Sequence, residues 1–483
     1  MDDEGRHSAR AHHHTRYWRM KRISSQRGSI LIIVLWICIG LAAIALTFAH
    51  SSSMAYKGAD NELAGEQAQW AIEGGVQYVM DLLTNNTTPG IMLQQYTYEA
   101  EALPLGEATI WLLAGAGDDT SYTATQPVFG LVDEASKINI NATYIVDGVD
   151  QLPQILENLP GMTEELANAI KDWRDADEDV TDSGAESETY AARQPAYASK
   201  NKPFESLEEL ALVNGGTFEV LYGEDANMNG VLDPNEDDAD ESAPADNSDG
   251  KLEPGIMQYI TCFSRESNKG SDGTTPKADV SKRSDALITL LDNTLGDARE
   301  KEMMVNIGAA TSTSETTWKI TSVMEFYIDS QMTADELGQI INDIWIAPTD
   351  GTSYVQGLIN INTASEVVLG CIPGIGPEKA GAIVSARGQQ TQQDANIAWF
   401  RDAIGDDQAA KLAGRFITGH SFQVSADIAA VGRHGRGYRR TRFVIDSVSG
   451  TPQVVYRRDL TSLGWALGST TRATLGDRKE EAK

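Results

Sequence analysis

Hydrophobic residues are concentrated near the start of the chain, in one uninterrupted segment. Between Ser29 and Ala49 there are 21 residues without a charged side chain, about the length that an α-helix needs to cross a hydrocarbon core roughly 30 Å thick. From residue 50 to 90 apolar residues recur mostly at intervals of three and four, which predicts an amphipathic helix. We therefore expect a transmembrane helix over 29–49 that continues as a stalk helix over 50–90.

A basic segment precedes this helix and ends in Arg27-Gly28. Residues 1–28 contain seven of the 39 Lys and Arg residues, and basic flanks remain on the cytoplasmic side of a membrane. A glycine directly before a long apolar helix is typical of a prepilin-type leader. We predict cleavage between Gly28 and Ser29, which makes Ser29 the N-methylated start of the mature chain. The alternative is a secretory signal that is cut near residue 50.

The rest of the chain alternates between short β segments and helical units, which predicts an α+β fold. Alternating apolar positions predict strands in 91–135 and again in 401–468. Between them we expect an inserted α-helical domain over 136–330 and a second helical unit over 331–400. The polar tail, 469–483, is expected to be disordered.

Two stretches of these helical regions repeat each other. Residues 137–177 and 358–387 each contain an Asn-rich extended segment, an apolar helix, a Pro-Gly turn and a second apolar helix. The order is that of a helix–hairpin–helix, whose glycine turn can bind nucleic-acid phosphates through backbone N–H groups. Only the second copy has both turn glycines, Gly374 and Gly376. Between the copies, the segment 320–330 is predicted to be a strand.

The charge of the chain argues against nucleic acid as a partner. The sequence contains 70 Asp and Glu residues against 39 Lys and Arg residues, a formal net charge of −31, which repels a polyanion. We therefore interpret both hairpins as packing units. The alternative is a membrane-anchored DNA receptor for uptake, in which the hairpin at 374–376 would contact the duplex.

The acidic segment DANMNGVLDPNE, residues 225–236, has the ligand spacing of an EF-hand-type calcium loop. Calcium takes six to eight oxygen ligands from carboxylates, amides and backbone carbonyls, and Gly230 occupies the position where such a loop turns sharply. The predicted Ca2+ ligands are the side chains of Asp225, Asn227, Asn229, Asp233 and Glu236 and the backbone carbonyl of Val231. The acidic residues between 172 and 179 form a poorer second candidate. The alternative for either is a solvated acidic loop.

The remaining chemistry does not predict an enzyme. The sequence has no nucleophile-elbow or phosphate-loop motif and no locally supported catalytic triad. Cys262 and Cys371 either pair or remain separate buried thiols, since spacing does not decide this. The basic segment 432–440 is either a docking patch for an acidic partner or a hairpin turn with exposed arginines.

Several blocks of the sequence, in this order, resemble the K-type minor pseudopilin of the type II (general) secretion pathway. They are Arg27-Gly28 with the apolar run, VDEASKININ, LPGM with AIKDWRDADED, ESETY, NKPFESLEELALV and LININTASEVVLGCIPGIG. Ile33 stands where most pilin-like proteins have a glutamate. The resemblance implies a pilin-like N-terminal transmembrane helix and antiparallel sheet, with a large inserted α-helical domain that contains helix–hairpin–helix-like units and binds calcium.

The resemblance also implies a role in assembly. The chain would lie at the tip of a short periplasmic pseudopilus, assemble with the I- and J-type minor pseudopilins, initiate the filament and support secretion across the outer membrane. Other expected partners are the major pseudopilin and the prepilin peptidase. The chain would be a single-pass inner-membrane protein with a cytoplasmic N-terminus and a periplasmic C-terminal domain. A calcium-dependent adhesin or sensor is a further alternative.

Overall fold

The computed structural model describes residues 27–86, 88–115, 127–239, 241–308, 318–349, 351–390 and 394–481. The chain divides into two compact units, Met1–Asn61 and Glu62–Lys483. The described part of the first unit is helical throughout, and its large apolar side chains from Ile30 to Phe48 are exposed. Residues 1–26 of the predicted leader lie outside the described residues.

The predicted membrane and stalk segments form one continuous helix, α1 (Arg27–Thr84). Within the described part of the chain, this is the one helix that is long and apolar enough to cross a membrane. The further helices are α2 (Leu152–Glu157), α3 (Glu164–Arg174), α4 (Ser187–Ala191), α5 (Phe218–Tyr222), α6 (Asp285–Leu295), α7 (Asp297–Asn306), α8 (Val323–Asp329), α9 (Ala334–Ile340), α10 (Glu366–Gly370), α11 (Gly376–Arg387), α12 (Trp399–Ile404), α13 (Asp407–Ala413) and α14 (Gly468–Glu481).

The strands are mostly short. They are β1 (Leu103–Leu105), β2 (Ala108–Gly115), β3 (Val128–Phe129), β4 (Val132–Asp133), β5 (Ile138–Asn139), β6 (Ile145–Val146), β7 (Val149–Asp150), β8 (Ile260–Thr261), β9 (Arg265–Ser267), β10 (Ala278–Asp279), β11 (Ile344–Trp345), β12 (Tyr354–Gln356), β13 (Ile359–Asn360), β14 (Ile417–Thr418), β15 (Gln423–Gly432), β16 (Arg436–Asp446) and β17 (Gln453–Asp459). The main sheet is antiparallel in the order β1-β2-β15-β16-β17, with β3 paired to β2 and β4 to β15.

The centre of the sheet joins strands from before and after the insertion. β2 pairs with β15, so that Leu113 lies opposite Asp427. Every residue of β15 is buried, because successive side chains of a strand face opposite sides of a sheet and both sides are covered. Ile428 belongs to the apolar cluster that includes Ile72 of α1, whereas Val431 belongs to the cluster on the other side. An antiparallel sheet interrupted by a helical insertion is therefore what the structure shows.

The predicted disorder of the tail is wrong. Residues 468–481 form α14, and Leu475 is buried in the cluster that contains Trp111 and Leu467. The tail sequence is polar overall, so composition alone predicts no structure for it. Leu475 attaches the helix to the sheet, because burying a leucine side chain contributes about 1.5–3 kcal/mol to stability.

Two further assignments need correction. Within the segment 320–330, Val323–Asp329 is helical rather than extended, because the Ser322 hydroxyl accepts a hydrogen bond from the Glu325 N–H and caps α8. The predicted C-terminal β segment, 401–468, begins with helical residues. There Asp406 caps α13, and Gly405 ends α12 in a left-handed conformation.

The internal repeat predicted from the sequence is present in three dimensions. The first copy consists of β5, α2 and α3, and the second of β13, α10 and α11; each short strand pairs in parallel with a later one. Asn139 and Asn360 are both buried, and each accepts a hydrogen bond from the N–H two residues later. Arg174 and Arg387, at the ends of the second helices, donate to backbone carbonyls of their own copy. Both hairpins are thus tied to their own strand segments.

Cys262 and Cys371 are separate free thiols, and both are buried. Burial raises the pKa of Cys371 to about 12. The pKa of Cys262 is also raised, first by burial and then by neighbouring carboxylates. Neither thiol is therefore readily ionised, and the open choice from the sequence resolves to two buried thiols.

A buried carboxylate marks the point where the sheet leads into the insertion. Asp133, at the end of β4, is 3% exposed. Its oxygens accept hydrogen bonds from Ser421 Oγ at 2.6 Å, Thr363 Oγ1 at 2.6 Å and Asn360 Nδ2 at 3.0 Å. Burial raises the pKa of Asp133 to about 6, although these hydrogen bonds lower it. The carboxylate therefore connects the sheet to the second repeat.

Asp133→Asn is expected to remove part of the pH dependence of stability. The folded-state pKa of Asp133 lies above its ordinary value of 3.8, so this group is protonated more readily in the folded chain. Its raised pKa contributes about 3 kcal/mol to the free energy of unfolding below pH 3.8, and this contribution is lost as the pH rises through 6. Urea unfolding at pH 4 and 7 measures this. The wild type should lose stability relative to the variant by that amount, and parallel pH profiles would contradict the assignment.

Candidate metal centre

The predicted calcium loop is folded around the carboxylate of Asp225. This side chain is buried, and its Oδ1 and Oδ2 accept hydrogen bonds from the N–H groups of Asn229 at 2.9 Å and Gly230 at 3.0 Å. Gly230 has φ +69°, which a residue with a side chain rarely adopts. Burial raises the pKa of Asp225, whereas the two N–H groups lower it. The sharp turn predicted at Gly230 is therefore present.

The amide side chains of the loop connect its two ends. Asn227 Oδ1 and Asn229 Oδ1 accept hydrogen bonds from the backbone N–H groups of Asn229 at 3.0 Å and Val231 at 2.7 Å. The Nδ2 atoms of both asparagines donate to Asp233 Oδ2, at 2.8 and 3.0 Å. The predicted ligands Asn227, Asn229 and Asp233 are thus in mutual contact.

Glu236 is the most unusual group in the loop. It is 1% exposed, and its Oε2 accepts a hydrogen bond from the Asp233 N–H at 3.0 Å. Its Oε1 is buried without a hydrogen-bond partner among the described residues. Burial, together with the charges of Asp225 and Asp233, raises the pKa of Glu236 to about 8. Burying an unpaired carboxylate is costly, and a divalent cation at this oxygen would offset that cost.

A second acidic group lies at the end of α3. Asp175, Asp177 and Glu186 each place a carboxylate oxygen so that the three atoms lie within 4.8 Å of one another. In the described part of the chain this is the one such group of three; the carboxylates of the 225–236 loop are joined by amides instead. The structure therefore favours the second candidate more strongly than the sequence does.

Glu186 is the most unusual carboxylate of this group. It is 2% exposed, and neither of its oxygens has a hydrogen-bond partner among the described residues. Asp175 Oδ1 and Asn201 Oδ1 are likewise buried without a hydrogen-bond partner among the described residues. The Nδ2 of Asn201 donates to the Asp177 carbonyl. Burial and the surrounding carboxylates raise the pKa of Glu186 to about 7. These oxygens are the hard donors that calcium prefers.

The acidic run 172–179 does not act as one site. Asp172 is fully buried and accepts hydrogen bonds from the N–H groups of Thr181 and Ala185. A Cβ on Gly184 would overlap Asp172 Oδ2, so the turn that brings Glu186 back to Asp175 requires a glycine there. Sequence reasoning missed Glu186 because it lies outside the run. Only its place in the ESETY block gave a signal.

The helix–hairpin–helix turn of the second repeat packs against protein at one of its two glycines. A Cβ on Gly374 would lie 2.7 Å from the Ala409 carbonyl oxygen and 3.0 Å from the Ala413 N–H nitrogen, whereas a Cβ on Gly376 would meet nothing within 4 Å. On the Gly374 side the turn therefore packs on α13. This contact supports the interpretation of the hairpin as a packing unit.

The basic segment 432–440 is only partly exposed to solvent. Arg433–Gly435 forms the turn between β15 and β16, but Arg440 is fully buried. Its guanidinium pairs with Asp427 at 2.8 Å. The expectation of exposed arginines is therefore wrong for Arg440.

The predicted processing site lies at the start of α1. The helix begins at Arg27, so Gly28 and Ser29 fall in its first turn, and Ser29 is exposed. The structure does not test cleavage, which stays a prediction.

Comparison with known proteins gives a family match for part of the chain. Residues 136–222 match the family model described as type II secretion system (T2SS), protein K. No curated protein matches the chain. The chain is similar to one in the crystal structure of the GspK-GspI-GspJ complex from the enterotoxigenic Escherichia coli type 2 secretion system. The TM-score is 0.37, with 12% identity over 85% of this chain and 96% of that one. The family match over residues 136–222 confirms the resemblance to the type II secretion minor pseudopilins of the K type.

Proposed function

We propose that this protein is the minor pseudopilin at the tip of a type II secretion pseudopilus. The observation that carries the proposal is the match of residues 136–222 to protein K of that system. These residues include the first repeat and the Asp175–Glu186 acidic group. The tip subunit would assemble with I- and J-type minor pseudopilins, partners that are also named for the similar solved structure, and would initiate the filament that supports secretion across the outer membrane.

The N-terminal helix supports membrane anchoring. Residues Ser29–Thr84 contain one candidate membrane span, and the basic segment before it favours a cytoplasmic N-terminus. The protein would then be a single-pass inner-membrane protein with its sheet and insertion in the periplasm. Ile33 stands where most pilin-like subunits have a glutamate, and a tip subunit has no preceding subunit whose N-terminal amine that glutamate would pair with.

We also propose that calcium binds both acidic loops. Asp225, Asn227, Asn229, Asp233 and Glu236, with the Val231 carbonyl, would hold one ion. Asp175, Asp177 and Glu186 would hold another. Calcium would supply the positive charge that the unpartnered oxygens of Glu236 and Glu186 lack, and would thereby order both loops.

Co-purification tests the assembly role. When the full-length chain is expressed with its I- and J-type pseudopilins and extracted in detergent, we expect the three to purify together through a tag on this chain. A tagged, unrelated single-pass protein is the control. Recovery of this chain alone, while I and J pair with each other, would contradict the tip assignment and would favour an adhesin or sensor.

Processing gives a separate prediction. In cells that contain their prepilin peptidase, mass spectrometry should find a mature chain that begins at N-methylated Ser29. Gly28→Leu should leave the leader attached, because the peptidase cuts after the glycine. A wild-type chain that begins at Met1 or after residue 50 would instead indicate an ordinary anchor or a released protein.

A further inference from the structure

Arg440 connects the central sheet to the calcium loop. Its side chain is fully buried on β16. Nε and Nη2 donate to Asp427 Oδ1 and Oδ2 at 2.9 and 2.8 Å. On its other side, Nη1 donates to the backbone carbonyl of Asn227 at 2.6 Å and Nη2 to that of Met228 at 2.7 Å. The guanidinium thus joins a sheet carboxylate to two consecutive carbonyls of the loop.

The loop backbone has an unusual shape at this contact. Met228 has φ +54°, in the left-handed region that residues with a side chain rarely adopt. Such a conformation persists when surrounding interactions hold it. Hydrogen bonds from a charged donor are about twice as strong as neutral ones, and two of them end on the carbonyls at this turn.

We propose that Arg440 is a positioning residue for the calcium loop. By holding residues 227–228 against the sheet, it keeps the side chains of Asn227 and Asn229 directed toward Asp233 before the ion binds. Preorganisation of this kind raises affinity because less ordering remains to be done on binding. By reciprocity, calcium strengthens the attachment of the loop to the sheet. The inference rests on calcium binding by residues 225–236, as proposed above.

Arg442 provides a matched control. It carries the same charge and also pairs with Asp427 Oδ2, at 2.9 Å. Its contact with the loop is a weak one to Met228 Sδ at 4.0 Å, and no hydrogen bond from it to a loop carbonyl is present among the described contacts. Removing either arginine removes one positive charge near the loop, and this loss of charge by itself would strengthen calcium binding. Only the loss of Arg440 also removes the two carbonyl hydrogen bonds.

The test compares Arg440→Met, Arg440→Lys and Arg442→Met in the full-length chain in detergent. Hydrogen exchange of peptides from 225–236 is measured in EGTA, and calcium binding by calorimetry. We expect Arg440→Met to speed exchange in the loop by about ten-fold and to weaken calcium binding by about five-fold or more. Arg440→Lys should have an intermediate effect, since an ammonium cannot reproduce the planar fork. Arg442→Met should leave exchange within about two-fold of wild type.

The outcomes separate the possible causes. Wild-type exchange in Arg440→Met, or equal effects of Arg440→Met and Arg442→Met, would overturn the inference. If Arg440→Met also speeds hydrogen exchange in β2 and β16, that variant has lost more than the loop contact, and Arg440→Lys becomes the deciding variant. Faster exchange of Arg440→Lys confined to the loop supports the inference. Unchanged exchange in this variant overturns it. If the wild-type loop binds no calcium, the proposed metal site fails, whereas exchange in EGTA still tests the attachment of the loop.

Discussion

Glu236→Gln and Glu186→Gln are each expected to stabilise the calcium-free protein. Both carboxylates are buried, and burial raises their pKa values to about 8 and about 7 from an ordinary 4.5. The folded protein therefore loses stability as the pH rises from 4.5 through these values, because a buried carboxylate must then ionise. A neutral amide avoids this. At pH 8 the gain should be up to about 3 kcal/mol for Glu186→Gln and up to about 4 kcal/mol for Glu236→Gln.

In calcium the stability advantage of the same variants over wild type should shrink by about 2.7 kcal/mol. An ion at a concentration 100-fold above its dissociation constant adds about 2.7 kcal/mol per site, and each variant loses this contribution at its own loop. Urea unfolding of the full-length chain at pH 8, in EGTA and in calcium, measures both effects. Calorimetry should find two sites in the wild type and one in each variant. Asp225→Ala should also remove one site.

The exposed Asp249 provides a control in the same acidic segment. Asp249→Asn removes one negative charge but should change neither the number of sites nor the stability in EGTA by more than about 0.5 kcal/mol. If the two glutamine variants destabilise the calcium-free protein instead, Glu236 and Glu186 serve the fold rather than an ion.

Gly437→Ala is expected to destabilise the protein by about 2–5 kcal/mol. Gly437 lies near the start of β16 with φ +70°, and a Cβ there would overlap the backbone of Ala64 and Gly65 in α1. The left-handed conformation alone costs about 1–2 kcal/mol for a residue with a side chain. Forcing the strand away from the helix costs about 1–3 kcal/mol more. Urea unfolding with constant calcium measures the sum.

Gly450→Ala separates these two contributions. Gly450 also has a left-handed backbone, with φ +84°, but a Cβ there would meet nothing within 4 Å. This variant should lose only the stability that corresponds to the strained backbone, about 1–2 kcal/mol. Equal losses for Gly437→Ala and Gly450→Ala would mean that close packing between β16 and α1 contributes little to stability.

Residue spacing described one candidate metal loop well and the other poorly. The candidate ligands between Asp225 and Glu236 lie within twelve positions of one another, so the sequence itself defines their order along the loop. The second group depends on a turn through Gly184 that returns Glu186 to Asp175. No local sequence pattern predicts that this turn brings Glu186 close to Asp175. The sequence therefore indicated only the acidic run 172–179.

Local patterns also failed where tertiary packing decides the structure. The apolar and β-branched residues of 320–330 suit a strand, yet the cap at Ser322 and burial in the core make them α8. The polar tail becomes α14 because Leu475 has an apolar surface to pack against. Propensity is a weak prior that such contacts override.

The sequence by itself determined the long apolar helix, the two Asn-rich repeats and the sharp turn of the 225–236 loop. Each of these depends on residues a few positions apart, where helical and turn geometry leaves few choices. Only the tertiary structure decided that β2 pairs with β15, that Gly374 packs on α13 and that Arg440 is buried against the 225–236 loop. Those contacts join segments far apart in the chain, and they form because together they bury apolar surface and satisfy buried charges that local periodicity does not describe.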